Sequence, residues 1–526
     1  MVATTMNRIS RRAFTRIAAG AVVAAGIGGP LAVGLGGSTS TGELLKSAHP
    51  LPEPFRATLP IPPVLQPVRQ DTDTDYYEIV QKPARVSILP DVQTEIWGYN
   101  GIIPGPTIVT HRGRRAVVRQ TNRLPVPTVV HLHGGRTPHD SDGYPIDYVY
   151  PNGSTAASVS GFEHDMATGD TSFGTRDYIY PLDQPAATLW YHDHRMDFTG
   201  PGVWQGLAGF HLHHDAVEDA LGLPSGARDL PLMITDRSFE SDGSLRYPSL
   251  DRTLHMLPGV EDRYMAGVLG DVVLVNGAPL PVAQVSANLY RLRFLNASNA
   301  RRYRLALDPP PPGGNGFVQI GSDGGLLDAP CPHDALVLAP AERFDAVVDF
   351  GRYPSGAKVT LVNEFGEAST ASVMQFIVGE RVPETATIPD RLADLPTLGR
   401  ADVVVTREMK FINGEIGKMR GWLINGEPFA PDRINATVKG GTTEIWRLTS
   451  DFHHPIHLHL NPFQVLSRGL DGPGEFDRGW KDTIDLRPAE QAEIIVPFAD
   501  LPGKYVFHCH NLEHEDMAMM GNFVVE

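Results

Sequence analysis

The chain has 526 residues, 41% hydrophobic and 20% charged, a composition that excludes an intrinsically disordered polypeptide and suits two to four globular domains. Its formal net charge of −16 argues against a nucleic-acid-binding protein, which would present a basic surface, so we expect no nucleic-acid partner. The two cysteines, Cys331 and Cys509, are too few for a disulfide-stapled scaffold.

The N-terminal residues have the pattern of an export signal. Ser10–Arg16 contains paired arginines and precedes an uncharged, Gly- and Ala-rich segment from Ile17 to Thr41. This pattern resembles a twin-arginine signal, and the segment is only weakly apolar, which disfavours a permanent membrane span. The sequence predicts export by the twin-arginine machinery to the periplasm, the cell surface or the extracellular space. An uncleaved anchor is the alternative, and we expect residues 1–45 to lie outside the fold.

Short β-branched runs separated by turn residues predict an all-β protein of sandwiches or barrels. The clearest runs are Thr107–Val109, Ala116–Val118, Thr128–Val130, Val272–Val275 and Ala346–Val348. One short helix is predicted near Ala216–Leu221.

Two linker-like stretches divide the chain. They are Leu223–Asp229 and the Pro- and Thr-rich Glu380–Leu398. The predicted domains are therefore 46–222, 230–382 and 400–526, each about the size of one β-sandwich.

Histidines are concentrated in four clusters, each with a His-X-His pair. The pairs are His131/His133, His192/His194, His457/His459 and His508/His510. Residues i and i+2 of a strand point to the same face, so each pair can present two imidazoles to one metal centre. A single pair is weak evidence, but four pairs at the ends of apolar runs predict a metal site.

The fourth cluster adds a thiol between its two histidines. On a strand the sulfur of Cys509 points away from the imidazoles of His508 and His510, so one strand can serve two sites. His514 and Met519 follow at loop spacing, and His454 is the candidate second imidazole. Thiolate, two imidazoles and thioether are the ligands of a blue-copper site, whereas structural zinc prefers more thiolates. A Cys-His nucleophile remains an alternative that leaves the other histidines unexplained.

At these residues the chain resembles the multicopper oxidases, and most closely the three-domain bacterial spore-coat laccases and the bilirubin oxidases. The resemblance covers nearly the whole chain after the export segment and includes Trp97–Gly101, Pro104–Thr107 and Leu338–Arg343. It implies three consecutive cupredoxin-like Greek-key β-sandwich domains.

The resemblance also implies four copper ions. His454, Cys509 and His514 would hold a type 1 copper, with Met519 as its axial ligand. His131 and His457 would hold a type 2 copper. The remaining histidines of the four pairs would hold the two type 3 coppers: His133, His192, His194, His459, His508 and His510.

The implied reaction couples oxidation of a small-molecule electron donor to reduction of dioxygen to water. The donor would be oxidised near an exposed imidazole, His514, and four electrons would pass through Cys509 to the histidine cluster. Asp142 and Glu515 match positions that deliver protons in the spore-coat laccases. The alternative for each is a carboxylate that orients a ligand or closes a turn.

The sequence is compatible with three functions. The first is a laccase-like oxidase of phenols or aminophenols. The second is a cuprous oxidase for copper tolerance, which usually carries a methionine-rich segment; the tight group here is Met517, Met519 and Met520. The third is a non-enzymatic structural or copper-storage protein, which a complete ligand set disfavours. Phe452 stands where bilirubin oxidases typically carry Trp, which weakens a bilirubin assignment.

The remaining candidate residues are given no role in the chemistry. We expect His453 to be structural, and His211, His213 and His214 to be surface histidines. Cys331 is expected to be a buried free thiol.

Overall fold

The computed structural model describes residues 41–155, 169–255, 257–417 and 419–526. The described residues, from Thr41 onward, belong to one compact unit, so the three domain boundaries stay a prediction. None of the helices in these ranges is long and apolar enough to cross a membrane. The paired arginines of the predicted export signal lie outside the described residues. Glu43–Leu45, predicted to lie outside the fold with the export signal, form a strand of the folded body.

Strands dominate the N-terminal third of the described chain. They are β1 (Glu43–Leu45), β2 (Arg69–Gln70), β3 (Thr74–Val86), β4 (Thr94–Tyr99), β5 (Gly105–His111), β6 (Arg115–Asn122), β7 (Val130–His133), β8 (Val149–Tyr150), β9 (Ser172–Phe173), β10 (Thr175–Tyr180), β11 (Ala187–Asp193) and β12 (Ala208–His214). Apart from β1 and the small β8–β9 ladder, they form two facing sheets, ordered β10-β6-β3-β2 with β4 beside β3, and β5-β12-β11-β7. This is the first sandwich.

The middle of the chain forms a second pair of sheets. Its strands are β13 (Asp229–Phe239), β14 (Leu245–Arg246), β15 (Val268–Gly270), β16 (Val272–Val275), β17 (Ala278–Pro279), β18 (Val282–Val285), β19 (Leu289–Asn296), β20 (Tyr303–Asp308), β21 (Phe317–Ser322), β22 (Gly325–His333), β23 (Ala335–Leu338), β24 (Arg343–Asp349), β25 (Lys358–Asn363) and β26 (Ser372–Val378). The sheet orders are β17-β16-β13-β19-β24-β21-β22, with β14 beside β13, and β18-β26-β25-β20-β23; β15 lies outside both sheets and pairs with β1. This is the second sandwich.

The C-terminal part forms the third sandwich. Its strands are β27 (Val403–Ile416), β28 (Met419–Ile424), β29 (Ile434–Val438), β30 (Thr443–Ser450), β31 (His454–Leu458), β32 (Gln464–Arg468), β33 (Thr483–Leu486), β34 (Gln491–Pro497), β35 (Gly503–Cys509) and β36 (Met520–Val525). They pair as β28-β27-β30-β34-β32 and β29-β36-β35-β31-β33. The chain is therefore all-β, as the sequence predicted.

Helices are few and short in the described ranges. The α-helices there are α1 (Thr199–Gln205), α2 (Ala216–Asp219) and α3 (Leu512–Asp516), and 3-10 turns occur at His139–Ser141, Gly226–Arg228, Asp262–Tyr264, Phe350–Arg352, Ala368–Thr370 and Arg400–Asp402. The helix predicted near Ala216–Leu221 is confirmed as α2. Most of the predicted strands are found as well, but the run Thr128–Val130 contributes only Val130 to a strand, β7.

Alternating burial shows why these sequences form sandwiches. In β10 every second residue is buried, as expected for a strand with one face on a core. In β11 every residue is buried. Its Leu189 and Tyr191 face the core of the first sandwich, and Trp190 packs against the second sandwich beside Leu295. Strand β11 is thus covered on both faces, which brings its histidines into the interior.

The N-terminal strand β1 forms an arm that leaves the first sandwich and pairs in parallel with β15 of the second. Leu45 is buried with Trp204, Val260 and Tyr264. In the segment just before β15, Met265–Gly267, the Ala266 carbonyl contacts the His514 ring. The arm therefore supports a part of the chain that borders the site described next.

Candidate metal centres

Eight buried histidines come together between the first and third sandwiches. Strands β7 and β11 pair so that His131 lies opposite His192, and strands β31 and β35 pair so that His457 lies opposite His508. The four His-X-His pairs therefore enter from two strand pairs, and they comprise His131, His133, His192, His194, His457, His459, His508 and His510.

The nitrogens of these imidazoles converge in three groups. In the first, the Nε2 atoms of His194 and His459 each lie 3.2 Å from His508 Nε2. A second group joins His133, His192 and His510. In the third, His131 Nε2 lies 3.4 Å from His457 Nε2, and His133 again lies within reach. Each group has the size of a metal coordination sphere.

Carbonyl and carboxylate oxygens hold the opposite nitrogens of the same rings. His131 Nδ1 donates to the Asp142 carbonyl at 2.6 Å, and His457 Nδ1 donates to the Asp482 carbonyl at 2.9 Å. His459 Nδ1 donates to Asp142 Oδ2 at 2.7 Å. Such contacts fix the tautomer and leave the inner nitrogen with a free lone pair, as at metal-binding histidines.

Three of the inner nitrogens lack any hydrogen-bond partner and fit a metal ion. His133 Nδ1, His192 Nε2 and His510 Nε2 are buried without a hydrogen bond to any described residue. Burial lowers the pKa of His192 to about 3 and holds the pKa of His510 well below its usual range, so the rings are neutral. Since an unpaired buried polar atom costs about 1–3 kcal/mol, a cation is the partner that this arrangement suits.

A separate group surrounds Cys509. The Cys509 Sγ lies 3.5 Å from His454 Nδ1 and 3.6 Å from His514 Nδ1, and the two nitrogens are 3.1 Å apart. Met519 is fully buried in the same apolar cluster. Burial raises the pKa of the Cys509 thiol well above its usual range, and a bound metal would favour the thiolate. The donor set of sulfur and two imidazoles fits copper.

Strand β35 connects this group to the histidine cluster. The residues on either side of Cys509 belong to two different imidazole groups: His508 to that of His194, and His510 to that of His192. The sulfur and the two imidazoles therefore serve different donor groups, as predicted, although β35 ends at Cys509 and His510 is the first residue after it. The covalent path between the two kinds of centre is a single peptide unit in either direction.

Asp142 and Glu515 both lie against the histidine cluster. Asp142 binds the rings of His131 and His459 through its carbonyl and its carboxylate, and burial raises its pKa to about 8. Glu515 Oε2 lies 2.9 Å from His508 Nδ1, and Oε1 lies 3.5 Å from His194 Nδ1. Burial would raise the pKa of Glu515, but these two histidines outweigh it and lower the pKa to about 2.

Comparison with known proteins shows the family. The multicopper oxidase family profile matches residues 81–168 and 394–526. A laccase of Bacillus subtilis (strain 168) is 37% identical over 520 residues, which cover 89% of this chain and 98% of the relative. The chain belongs to the multicopper oxidase family. It is a copper-dependent enzyme that couples oxidation of a small-molecule donor to reduction of dioxygen.

Other relatives agree with this assignment. A bilirubin oxidase of Albifimbria verrucaria is 34% identical, with 92% of this chain and 84% of the relative covered. The crystal structure of a laccase from Pediococcus acidilactici Pa5930 superimposes with a TM-score of 0.77 at 32% identity, covering 92% of this chain and 95% of the other. The structural neighbours are multicopper oxidases of cupredoxin-like architecture, which confirms the predicted fold class.

An ionic network behind this multicopper oxidase's histidines was missed by sequence reasoning. Asp482 Oδ1 accepts a hydrogen bond from His133 Nε2 at 3.1 Å, and the Asp482 carboxylate forms two hydrogen bonds with Arg343, at 2.7 and 2.5 Å. Arg343 and Asp482 are both bound by Asp323. Arg343 stands in one of the family-like motifs, but Asp482 carried no sequence signal because its partners are far away in the chain.

Three expectations were wrong. His514 is buried rather than exposed, with Nε2 donating to the Ala266 carbonyl at 3.1 Å. His211 and His213 are buried histidines that share the Thr110 hydroxyl at 2.8 and 3.0 Å, not surface residues. Cys331 is only half-buried.

The physical reasons for these differences are local. Ala266, in the segment Met265–Gly267, contacts and covers the His514 ring. Strand β12 turns His211 and His213 toward Thr110 in the interior of the first sandwich. Cys331 packs only against the edge of an apolar cluster. The third expected surface histidine, His214, is partly buried and binds Glu218. His453, expected to be structural, is half-buried beside His454.

Proposed function

We propose that this multicopper oxidase holds four copper ions and oxidises phenolic or aminophenolic donors in the manner of a laccase. The type 1 copper is assigned to His454, Cys509, His514 and Met519, and the type 2 copper to His131 and His457. The type 3 pair is assigned to His133, His192, His194, His459, His508 and His510. The observation that carries the assignment is strand β35, which offers Cys509 to one donor group and its two neighbours to the others.

Copper, when bound, supplies the one-electron chemistry and the affinity for dioxygen. The chain supplies neutral imidazoles in a fixed tautomer, because the carbonyls of Asp142 and Asp482 hold the outer nitrogens. It also keeps the histidine groups buried. Burial excludes bulk water from such a site, which limits side reactions.

Reduction of dioxygen to two water molecules consumes four protons. Asp142 and Glu515 are carboxylates that contact the histidine cluster, through His459 for the first and His508 for the second. We assign proton delivery to these two carboxylates. The same Asp142 carboxylate also orients His459, so the two roles considered from the sequence are compatible.

The donor class is supported by the relatives. Proteins named laccase are 37% and 36% identical to this chain over most of its length. A laccase-like oxidase of phenols or aminophenols is therefore our first assignment, ahead of a cuprous oxidase.

Oxygen uptake by the copper-loaded protein tests this function. We expect four donor electrons to be consumed per dioxygen with an aromatic one-electron donor. Metal analysis should find four copper ions per chain. Uptake with cuprous ion alone would favour the copper-tolerance function, and no uptake with either donor would contradict an oxidase.

The variant Cys509→Ser tests the ligand assignment. Removing the thiolate should abolish the blue absorption and turnover while the fold is retained, because serine fills nearly the same volume. Circular dichroism and the melting temperature serve as controls for folding. Full turnover in Cys509→Ser would overturn the type 1 assignment.

We further propose that the protein is exported by the twin-arginine machinery, on the basis of Arg11 and Arg12 and the uncharged segment that follows. A double substitution Arg11→Lys and Arg12→Lys should leave the protein inside the cell, as measured by fractionation. Unchanged export of this variant would contradict the proposed route.

A further inference from the structure

The buried position of His514 changes how a donor can reach the Cys509 centre. Its side chain has no exposed surface, and its Nε2–H is already donated to the Ala266 carbonyl at 3.1 Å. The other nitrogen, Nδ1, faces Cys509 Sγ. A donor molecule therefore cannot accept a hydrogen bond from this imidazole while the Ala266 carbonyl occupies Nε2–H.

Trp422 covers the same imidazole on its face. The indole stacks on His514 with a centroid distance of 3.7 Å and an interplanar angle of 29°. It also meets His454 edge to face at 5.5 Å. One aromatic ring is thus in contact with both imidazoles of the Cys509 centre.

Hydrogen bonds hold Trp422 in this position. Its Nε1–H donates to the Met265 carbonyl at 3.0 Å, and its backbone N–H donates to the Met517 carbonyl at 3.2 Å. The side chain is only 6% exposed. The segment Met265–Gly267 therefore holds the indole ring, and the loop after α3 holds the Trp422 backbone.

The outer end of this aromatic stack reaches solvent at Phe452. The Phe452 ring packs edge to face on Trp422 at 5.9 Å and an angle of 90°, and it is 41% exposed. One edge of the Phe452 ring is thus covered by Trp422, and the rest of this aromatic side chain, two residues before His454, faces solvent. It offers a flat apolar surface on which an aromatic donor can stack.

We propose that electrons enter this enzyme through Trp422, from an aromatic donor stacked on Phe452, and not through direct contact with His514. This inference rests on the proposed function of the Cys509 centre. In each step the donor loses one electron to the centre and its phenolic proton goes to water. Phe452 contacts the donor, and Trp422 is a positioning residue that links Phe452 to the His514 imidazole and is not itself oxidised.

The variant Trp422→Leu tests the path. Under anaerobic conditions, bleaching of the blue absorption by an excess of aromatic donor measures electron entry apart from turnover. We expect Trp422→Leu to retain the blue band but to be reduced severalfold more slowly, and Trp422→Phe to recover part of the rate. If Trp422 only shields His514, its removal opens the imidazole; an equal or faster rate in Trp422→Leu would overturn the proposal.

The variant Phe452→Ala tests the docking surface and does not disturb a buried residue. Loss of one aromatic contact should raise the half-saturating concentration of a flat aromatic donor roughly two- to tenfold. Reduction by hexacyanoferrate(II), which has no ring to stack, should be unchanged. An unchanged aromatic donor dependence would overturn the docking surface.

The matched control is Phe173→Ala, which removes another exposed phenylalanine, stacked on Tyr150 in the first sandwich. It should leave both donors unaffected. If the copper-loaded unsubstituted protein lacks the blue band, the proposed function itself is wrong. This result is obtained before any variant is compared, so it is distinct from a failure of the electron-entry proposal.

Discussion

Asp482 shows how much a single side chain can contribute to a metal site that it does not enter. It accepts a hydrogen bond from His133 Nε2 and binds Arg343, which is completely buried. Removing its charge would leave Arg343 with Asp323 as its remaining anionic partner. A buried charge that loses its partner is strongly destabilised, and a ring that loses its outer acceptor becomes a weaker ligand.

We therefore predict that Asp482→Asn weakens copper binding by about 10–100-fold. Copper retained during dialysis against a series of chelators measures the effect. The control is Asp328→Asn, which removes a carboxylate of similar type from an exposed pair with Arg478. Equal copper retention in both variants would show that Asp482 does not support the ligands.

Residues in regular local patterns could be predicted from the sequence, and residues that act through distant contacts could not. The His-X-His pairs and Cys509 were found because strand periodicity places them. Trp422 and Asp482 look ordinary in the sequence, since their partners His514 and His133 are brought to them only by the fold. The burial of His514 was missed for the same reason: its cover comes from the second sandwich.

At the scale of elements, strands β11 and β12 meet so closely that a side chain is excluded from one position. Tyr191 lies opposite Gly209, and a Cβ at Gly209 would come within 2.4 Å of the Tyr191 ring. Tyr191 cannot easily move, because its hydroxyl donates to the Pro106 carbonyl at 2.7 Å and its ring packs on Tyr99. The contact lies one residue before His192, in the register that pairs His192 with Ala208.

We expect Gly209→Ala to destabilise the protein by about 1–3 kcal/mol, the usual cost of overpacking. Denaturant unfolding of the apoprotein measures it. Gly472→Ala is the control, because a Cβ there meets nothing within 4 Å. A stability equal to that of Gly472→Ala would mean that β11 and β12 separate more readily than the contact implies.

The element pattern itself was largely predictable. Short β-branched runs and turn residues gave the all-β class, and α2 lies where a helix was predicted. The pairing of β1 with β15 was not predictable, because the arm was assigned to the export segment and its partner lies more than two hundred residues away.

At the scale of the whole molecule, a buried ionic contact joins the first sandwich to the second. Glu218 in α2 binds Arg291 and Arg293 of β19 and accepts a hydrogen bond from His214 Nδ1 at 2.6 Å. Burial alone would raise the pKa of Glu218, but His214 and the two guanidinium groups outweigh it and hold the pKa well below its usual range. The carboxylate is thus more stable in the folded than in the unfolded chain.

The stability contributed by Glu218 depends on pH. A lowered folded-state pKa contributes stability that is fully present above the unfolded value of about 4.3 and is lost as the pH falls toward the folded value. We expect Glu218→Gln to lower the melting temperature at pH 7, with a difference from the unsubstituted protein that shrinks below about pH 4. Exposed Glu78→Gln is the control, and a difference independent of pH would contradict the ionic explanation.

The N-terminal arm has a practical consequence. Thr41 and Ala266 both offer their carbonyls to the Asn511 side chain, at 3.5 and 3.1 Å, so the arm begins beside the cover of His514. A linker attached immediately before Thr41 and fixed to a conducting support would hold the Cys509 centre close to that support. Such an electrode should exchange electrons with the enzyme faster than one on which the same protein is adsorbed in random orientations.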